Sequence, residues 1–242
     1  SGSRITSASD DAAGLAISTR ISSDITTLQQ AATNAAQATS ILQTADGGAS
    51  NISDILARMK SLASESASGT VADSSRAYIN SEFTQLKGEI DSIATGTRYS
   101  SQSLLDGSSV FSSGVAVLVG STSADTITIT LTNLTASSLG VTSLDVSTLS
   151  AATSAMSALD SAIDSVSSAR AEIGAQESRF NFSADSISTQ TQNLQSANSA
   201  IKDVDIAAEQ ATLSSAEVKT QAAVSAETAA NQMPQYLLKL LG

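Results

Sequence analysis

Apolar residues return every three or four positions along most of this chain. From 156 to 201 they read Met156, Leu159, Ile163, Val166, Ile173, Phe180, Ala184, Ile187, Thr191, Leu194, Asn198 and Ile201, with polar interruptions at Arg170 and Glu177. Alternating steps of three and four predict a helix that lies along other helices for its whole length. At about 1.5 Å per residue the stretch makes a helix roughly 70 Å long. A second seam runs Ile17, Ile21, Ile25, Leu28, Ala32, Ala35, Thr39, Leu42. It begins after Ser7-Ala8-Ser9-Asp10-Asp11, where Ser and Asp are good caps and the acids complement the helix dipole. Gly47-Gly48 reads as the place where this helix loosens or ends. A shorter helix then carries Ile52, Ile55, Leu56, Met59 and Leu62 and stops at Ser68-Gly69-Thr70. A third carries Ile79, Phe83, Leu86, Ile90 and Ile93 and ends near Gly96.

The period changes in the middle. Gly114 to Gly120 is a short apolar run between glycines, and Thr126 to Leu131 alternates strictly, which is the pattern of a strand with one buried face. A β-hairpin through Ser121–Asp125 joins the two. Leu139-Gly140 reads as the end of a helical turn with Gly at its cap; residues 141–150 show no pattern. The 156–201 seam closes near Asp203-Val204-Asp205. Beyond it, Ile206 to Leu241 is Ala-rich, with a strongly apolar tail after Pro234. The expected fold is mainly α: an elongated antiparallel helical bundle or coiled-coil rod with a small central β-hairpin region. Its segments are 1–106 (first helices of the rod), 107–150 (hairpin), 151–204 (long return helix) and 205–242 (terminal helix).

Composition narrows what such a rod can do. Only 3% of the 242 residues are aromatic and there is no Trp, so the helices meet along thin seams rather than around a thick core. A single Pro suits long uninterrupted helices. The net charge is −11 with no basic run, which disfavours nucleic acid. No apolar stretch approaches the length of a membrane span. The chain contains neither Cys nor His, which removes disulfides, thiolate chemistry and the commonest general base and metal ligand. The acidic pairs Asp10-Asp11 and Asp203/Asp205 sit at helix boundaries and read as caps rather than as a metal site or an acid–base pair. Nothing in the sequence points to an enzyme, a cofactor or a metal.

Five words, in order, resemble bacterial flagellin. They are Ser1 to Ile17 (SGSRITSASDDAAGLAI), Ile41 to Gly47 (ILQTADG), Glu177 to Asn181 (ESRFN), Ile201 to Asp205 (IKDVD), and Asn231 to Gln235 (NQMPQ) followed by Leu237 to Gly242. Together they cover nearly the whole chain. The resemblance implies a subunit that self-assembles into the extracellular flagellar filament for motility. It further implies export in unfolded form through the flagellar secretion apparatus, without a cleaved signal peptide. Against the family's layout, the chain corresponds to the core domain plus the C-terminal segment. The resemblance implies that the N-terminal inner helix would be missing, with little or no variable outer domain. Implied partners are other subunits, filament-cap and hook-junction proteins, and an export chaperone. That chaperone would hold the C-terminal segment, including Met233, Tyr236, Leu237, Leu238, Leu240 and Leu241. The alternatives are a hook–filament junction protein or a flagellin-like surface protein that binds polysaccharide or host surfaces.

One further site follows from the resemblance. Flagellins sensed by the vertebrate Toll-like flagellin receptor carry a stretch similar to Leu56–Ala63, and Arg58, Leu62 and Glu82 match its contact positions in type and spacing. The flanks differ: Ala57, Lys60, Ser61 and Ser64 stand where larger or charged residues are common. The competing assignment places Leu62 in the helix seam and gives Arg58 and Glu82 to contacts between subunits.

Overall fold

A computed structural model of the protein describes residues 2–241; the side chains of Met233 and of 235–241 lie outside that description. In order, the elements are α1 (Ala12–Ser66), α2 (Asp73–Gly96), β1 (Arg98–Tyr99), β2 (Gln102–Ser103), β3 (Val115–Leu118), β4 (Thr126–Ile129), α3 (Leu149–Lys202) and α4 (Ile206–Leu241). The chain forms two compact units, one of Asp24–Gln192 and one of Ser1–Ser23 with Asn193–Gly242.

In the larger unit the buried stripe of α1 runs Leu28, Ala31, Ala35, Ala38, Leu42, Ala45, Ala49, Ile52, Leu56, Met59, Ala63 and Ser66 without a missed step. The stripe of α3 runs Ala152, Ala155, Leu159, Ala162, Val166, Ala169, Ile173, Phe180 and Ile187. Heptad spacing is as expected, but the register differs in detail. Ala31 and Ala38 face inward where Ala32 and Thr39 were expected. In α3 the second seam position is Ala, with Ile163 only half-buried. Alanine on one side of the seam lets helix backbones approach closely, and the large residues fill what remains. Asp46 meets Arg170 and Lys60 meets Asp160, so α1 and α3 run antiparallel here. Arg58 meets Glu82 and Ser66 meets Arg76, so α2 folds back along α1.

Gly47-Gly48 does not end α1; the helix continues to Ser66. A Cβ on Gly48 would sit 2.4 Å from Thr97 Oγ1 and 2.9 Å from Leu105 Cδ1, whereas one on Gly47 would meet nothing within 4 Å. Gly48 therefore marks a close approach of the segment after α2 to the helix, not a stop. The true stop is the turn at 67–72. Arg76, nearly buried, closes it by donating to the carbonyls of Ser66 and Ser68, each at 2.8 Å, and to Asp73. This bonds carbonyls that the helix leaves open.

The expected hairpin is present as β3 and β4, antiparallel with Val115 opposite Ile129 and Leu118 opposite Thr126. Ile127 and Ile129 point inward and Thr126 and Thr128 outward, as the alternation requires. Side chains tie it to the helices. Asn34 of α1 donates to the Leu118 carbonyl at 3.1 Å. Beyond β4, Gln176 of α3 accepts from Thr130 N–H at 3.0 Å and donates to its carbonyl at 2.9 Å. Backbone groups at both sides of the ribbon are thereby bonded rather than left open to a further strand. The two-residue ribbon β1–β2 was not expected. Its turn places Ser100 and Ser101 at φ 47° and 69°, a geometry for which Asn-Gly is the usual signal. At Leu139-Gly140 the capped turn forms as read, with Gly140 at φ 72° and Val141 N–H reaching back to the Ala136 carbonyl.

The two glycines of α1 should respond in opposite directions. Gly47→Ala is expected to raise stability by about 0.5–1 kcal/mol, because it removes backbone entropy at no steric cost. Gly48→Ala is expected to lower it by about 1–3 kcal/mol through overpacking against the β-branched Thr97. Urea melts followed by circular dichroism distinguish the two.

Candidate assembly and recognition surfaces

Two ion pairs stand on the surface of the larger unit. Arg58 of α1 donates through Nε and Nη2 to Glu82 Oε1 of α2, at 2.8 and 2.7 Å, with both side chains about half exposed. Lys60 pairs with Asp160 of α3. Exposed pairs of this kind contribute about 0–1 kcal/mol, so their placement says more about surface chemistry than about stability. Leu62 does not belong to this surface. It is 2% exposed and packs inward beside the α1 seam. Of the three expected receptor contacts, the structure brings Arg58 and Glu82 together at the surface and assigns Leu62 to the core. Two aromatic rings, Tyr78 on α2 and Phe182 on α3, are also largely exposed.

Arg170 and Glu177, the polar interruptions of the α3 seam, have different roles. Arg170 makes a two-pronged contact with Asp46 at 2.8 and 3.2 Å, and this contact holds its pKa above the ordinary arginine value. Glu177 has no such partner: among the described residues its Oε1 is buried without a hydrogen bond. Burial, reinforced by the negative charge of Asp46, pushes its carboxyl up from the ordinary glutamate value.

Of the acidic residues at helix boundaries, Asp11 and Asp205 act as caps. Asp11 accepts from Gly14 N–H at 2.8 Å at the start of α1, and Asp205 accepts from Ala207 and Ala208 N–H at the start of α4. Asp10 accepts from Thr6 and Ser7, and these bonds hold its pKa at about 2. Among the described residues, no group of three or more acidic side chains is placed to hold a metal ion, and no helix is long and apolar enough to cross a membrane.

In the smaller unit, α4 carries Ile206, Leu213 and Val224, all exposed. Steps of seven and eleven residues put the three on one face of the helix. Met233, Tyr236, Leu237, Leu238, Leu240 and Leu241 continue along the same element, but their side chains lie outside the described residues.

Comparison with known proteins bears on these surfaces. Residues 1–110 match the family described as the bacterial flagellin N-terminal helical region, and residues 156–241 match the bacterial flagellin C-terminal helical region. A flagellin of Halalkalibacterium halodurans is 36% identical over 243 residues, spanning all of this chain and 88% of the relative. One of Listeria monocytogenes is 34% identical over 254 residues, with the same coverage. The crystal structure of Bacillus cereus flagellin superposes with a TM-score of 0.58 at 29% identity, covering 69% of this chain and 94% of that one.

Glu177 makes a prediction with a definite sign. Its folded pKa lies above its unfolded one, so the folded state holds the proton where the unfolded state has lost it. The resulting penalty is absent at acid pH and grows as pH rises through that window. Glu177→Gln is therefore expected to stabilise the protein by about 1 kcal/mol at neutral pH, by removing a charge with an unmet hydrogen bond. The gain should shrink toward acid pH. Asp125 and Asp145 shift downward through bonds from Thr122 and Ser147, so the wild-type curve mixes both signs. The difference between wild-type and variant melts, taken from pH 4 to 8, isolates Glu177.

Proposed function

The chain belongs to the bacterial flagellin family, and we propose that its surfaces divide between building the filament and meeting other proteins. It is a structural subunit that self-assembles with other flagellin subunits into the extracellular flagellar filament used for motility. The observation that best supports a division of labour is the contrast between the two kinds of helix. The seams of α1 and α3 bury their large side chains within the chain, whereas Ile206, Leu213 and Val224 of α4 leave theirs open. Apolar area is stabilised at about 25 cal/mol per Å² when covered. A neighbouring subunit that covers α4 would gain that amount. In this reading 205–242 is the inner-tube segment, and 1–204 supplies the core domain, with 107–150 as its reduced outer part.

Export follows the same logic. Thin Ala-lined seams hold a terminal segment only weakly, since ordering costs about 1–2 kcal/mol per residue. A segment of this kind can travel unfolded through the secretion apparatus with a chaperone on its apolar tail, and with no cysteine it cannot crosslink on the way. Receptor recognition is a second reading, supported by the exposed Arg58–Glu82 pair on adjacent helices. Arg58 would supply a forked donor, and Leu62 would contribute by holding α1 in place rather than by contact.

Replacing Leu213 and Val224 together with Ser should abolish elongation from filament seeds and collapse the swimming halo on soft agar. The thermal transition should remain. Normal elongation would remove α4 from the assembly surface. For recognition, Arg58→Ala should lower a receptor reporter signal at unchanged fold, whereas Leu62→Ala should cost about 2–5 kcal/mol of stability. A full signal from Arg58→Ala ends the receptor reading.

A further inference from the structure

The local cause of the break between α3 and α4, the Asp205 cap on α4, is a modest one. The linking residues are Asp203, Val204 and Asp205, none of them a strong helix breaker. Asp and Val are only modestly unfavourable inside a helix, far less so than Gly or Pro. Elsewhere this chain tolerates worse: α1 runs straight through Gly47-Gly48, and α4 runs through Pro234.

The break coincides with a second strand of chain. Val204 N–H donates to the Gly2 carbonyl at 3.0 Å. The Lys202 carbonyl accepts from Arg4 N–H at 2.6 Å, and the Ile201 carbonyl accepts from Arg4 Nη2 at 2.9 Å. Ser3 and Asp203 form a bridge of antiparallel type. In an unbroken helix the carbonyls of 201 and 202 would take the N–H groups of 205 and 206, and Val204 N–H would reach the carbonyl of 200. Residues 2–4 occupy three of these groups instead. The strap is anchored just beyond them. Ile5 is buried, with its side chain over Gly14 of α1, where a Cβ would come within 2.8 Å of it. Thr6 and Ser7 are held by Asp10.

We propose that residues 2–6 are a strap that holds the α3–α4 junction open, and that displacing it lets the two helices join into one from residue 149 to residue 241. Every backbone group the strap now serves has an intrahelical partner in the joined form. Asp205 gives up its bonds to Ala207 and Ala208, whose N–H groups pass to the carbonyls of 203 and 204. The subunit thus has two forms that differ at three residues, selected by whether a short strand is seated.

Arg4→Pro tests this, because it removes the backbone donor and the guanidinium together without touching α3 or α4. In the intact protein, NMR should then show helical 13Cα shifts at Asp203–Asp205. It should also show new contacts from the α-hydrogen of Ile201 to the amide of Val204, both absent in wild type. Adding Val204→Pro should lower the helical shifts at 203–205, since proline removes the bond from residue 204 to the carbonyl of 200. Non-helical or random-coil shifts at 203–205 in the Arg4→Pro variant would overturn the proposal. So would a missing contact from the α-hydrogen of Ile201 to the amide of Val204 in that variant.

Discussion

Two helices can lie side by side over many turns only if the stripe between them never drifts off the interface and never becomes too bulky for the backbones to approach. Steps of three and four keep the stripe in place, and alanine keeps it narrow. The twelve stripe positions of α1 from Leu28 to Ser66 meet both conditions, although they include Ala31, Ala35, Ala38, Ala45, Ala49 and Ala63. With so few large side chains, the seam stabilises the unit through its length and closeness rather than through the bulk of any one layer. Phe83 of α2 and Phe180 of α3 are the largest fully buried side chains among the described residues.

A narrow seam leaves little apolar depth for anything else, so the loops are held by hydrogen bonds. Arg76 closes the turn after α1, and Lys87 donates to the carbonyls of Thr142 and Leu144 while lying over the Phe83 ring. Asn80 binds both Asp145 and the Val146 amide. Asn34 and Gln176 fasten the β-ribbon to the helices on either side of it. Buried or half-buried polar groups of this sort stabilise only when nearly all are satisfied. Glu177 is the exception among the described residues, and it lies where the negative charge of Asp46 raises the cost of its own.

Much of this was legible from residue order. Seam spacing located the helical stretches that became α1, α2 and α3, although it divided α1 in two at Gly47-Gly48, because helical burial is periodic and leaves a direct trace. Alternation located β4 for the same reason, and the apolar run between Gly114 and Gly120 located β3. The β1–β2 ribbon left no trace, since Ser100-Ser101 lacks the glycine or asparagine that signals positive φ. Register within the seams was misjudged by one position at Ala31 and Ala38, because neighbouring small residues, Ala32 and Thr39, look alike to a periodicity argument. Arg58 and Glu82 were singled out through family resemblance, and their pairing with each other is visible only once α2 has folded back along α1. Leu62 shows the limit of such transfer: its type and spacing fit a contact residue, but its direction is set by the core.

The sequence by itself determined the helical character, the central hairpin and the family, because each depends on patterns that repeat along the chain or on words read in order. The interruptions were read correctly at one place and wrongly at the other, and the fold supplies the reason. Gly47-Gly48 looks like a stop and is not one, since burial of the flanking seam on both sides outweighs a cost of about 1 kcal/mol per glycine. At Asp203-Val204-Asp205 the helix ends as read from the residues, and there Gly2 and Arg4, distant in sequence, take the hydrogen bonds that would have continued it. Whether a helix continues depends on which partner reaches its backbone groups, and neighbouring residues describe only one of the candidates.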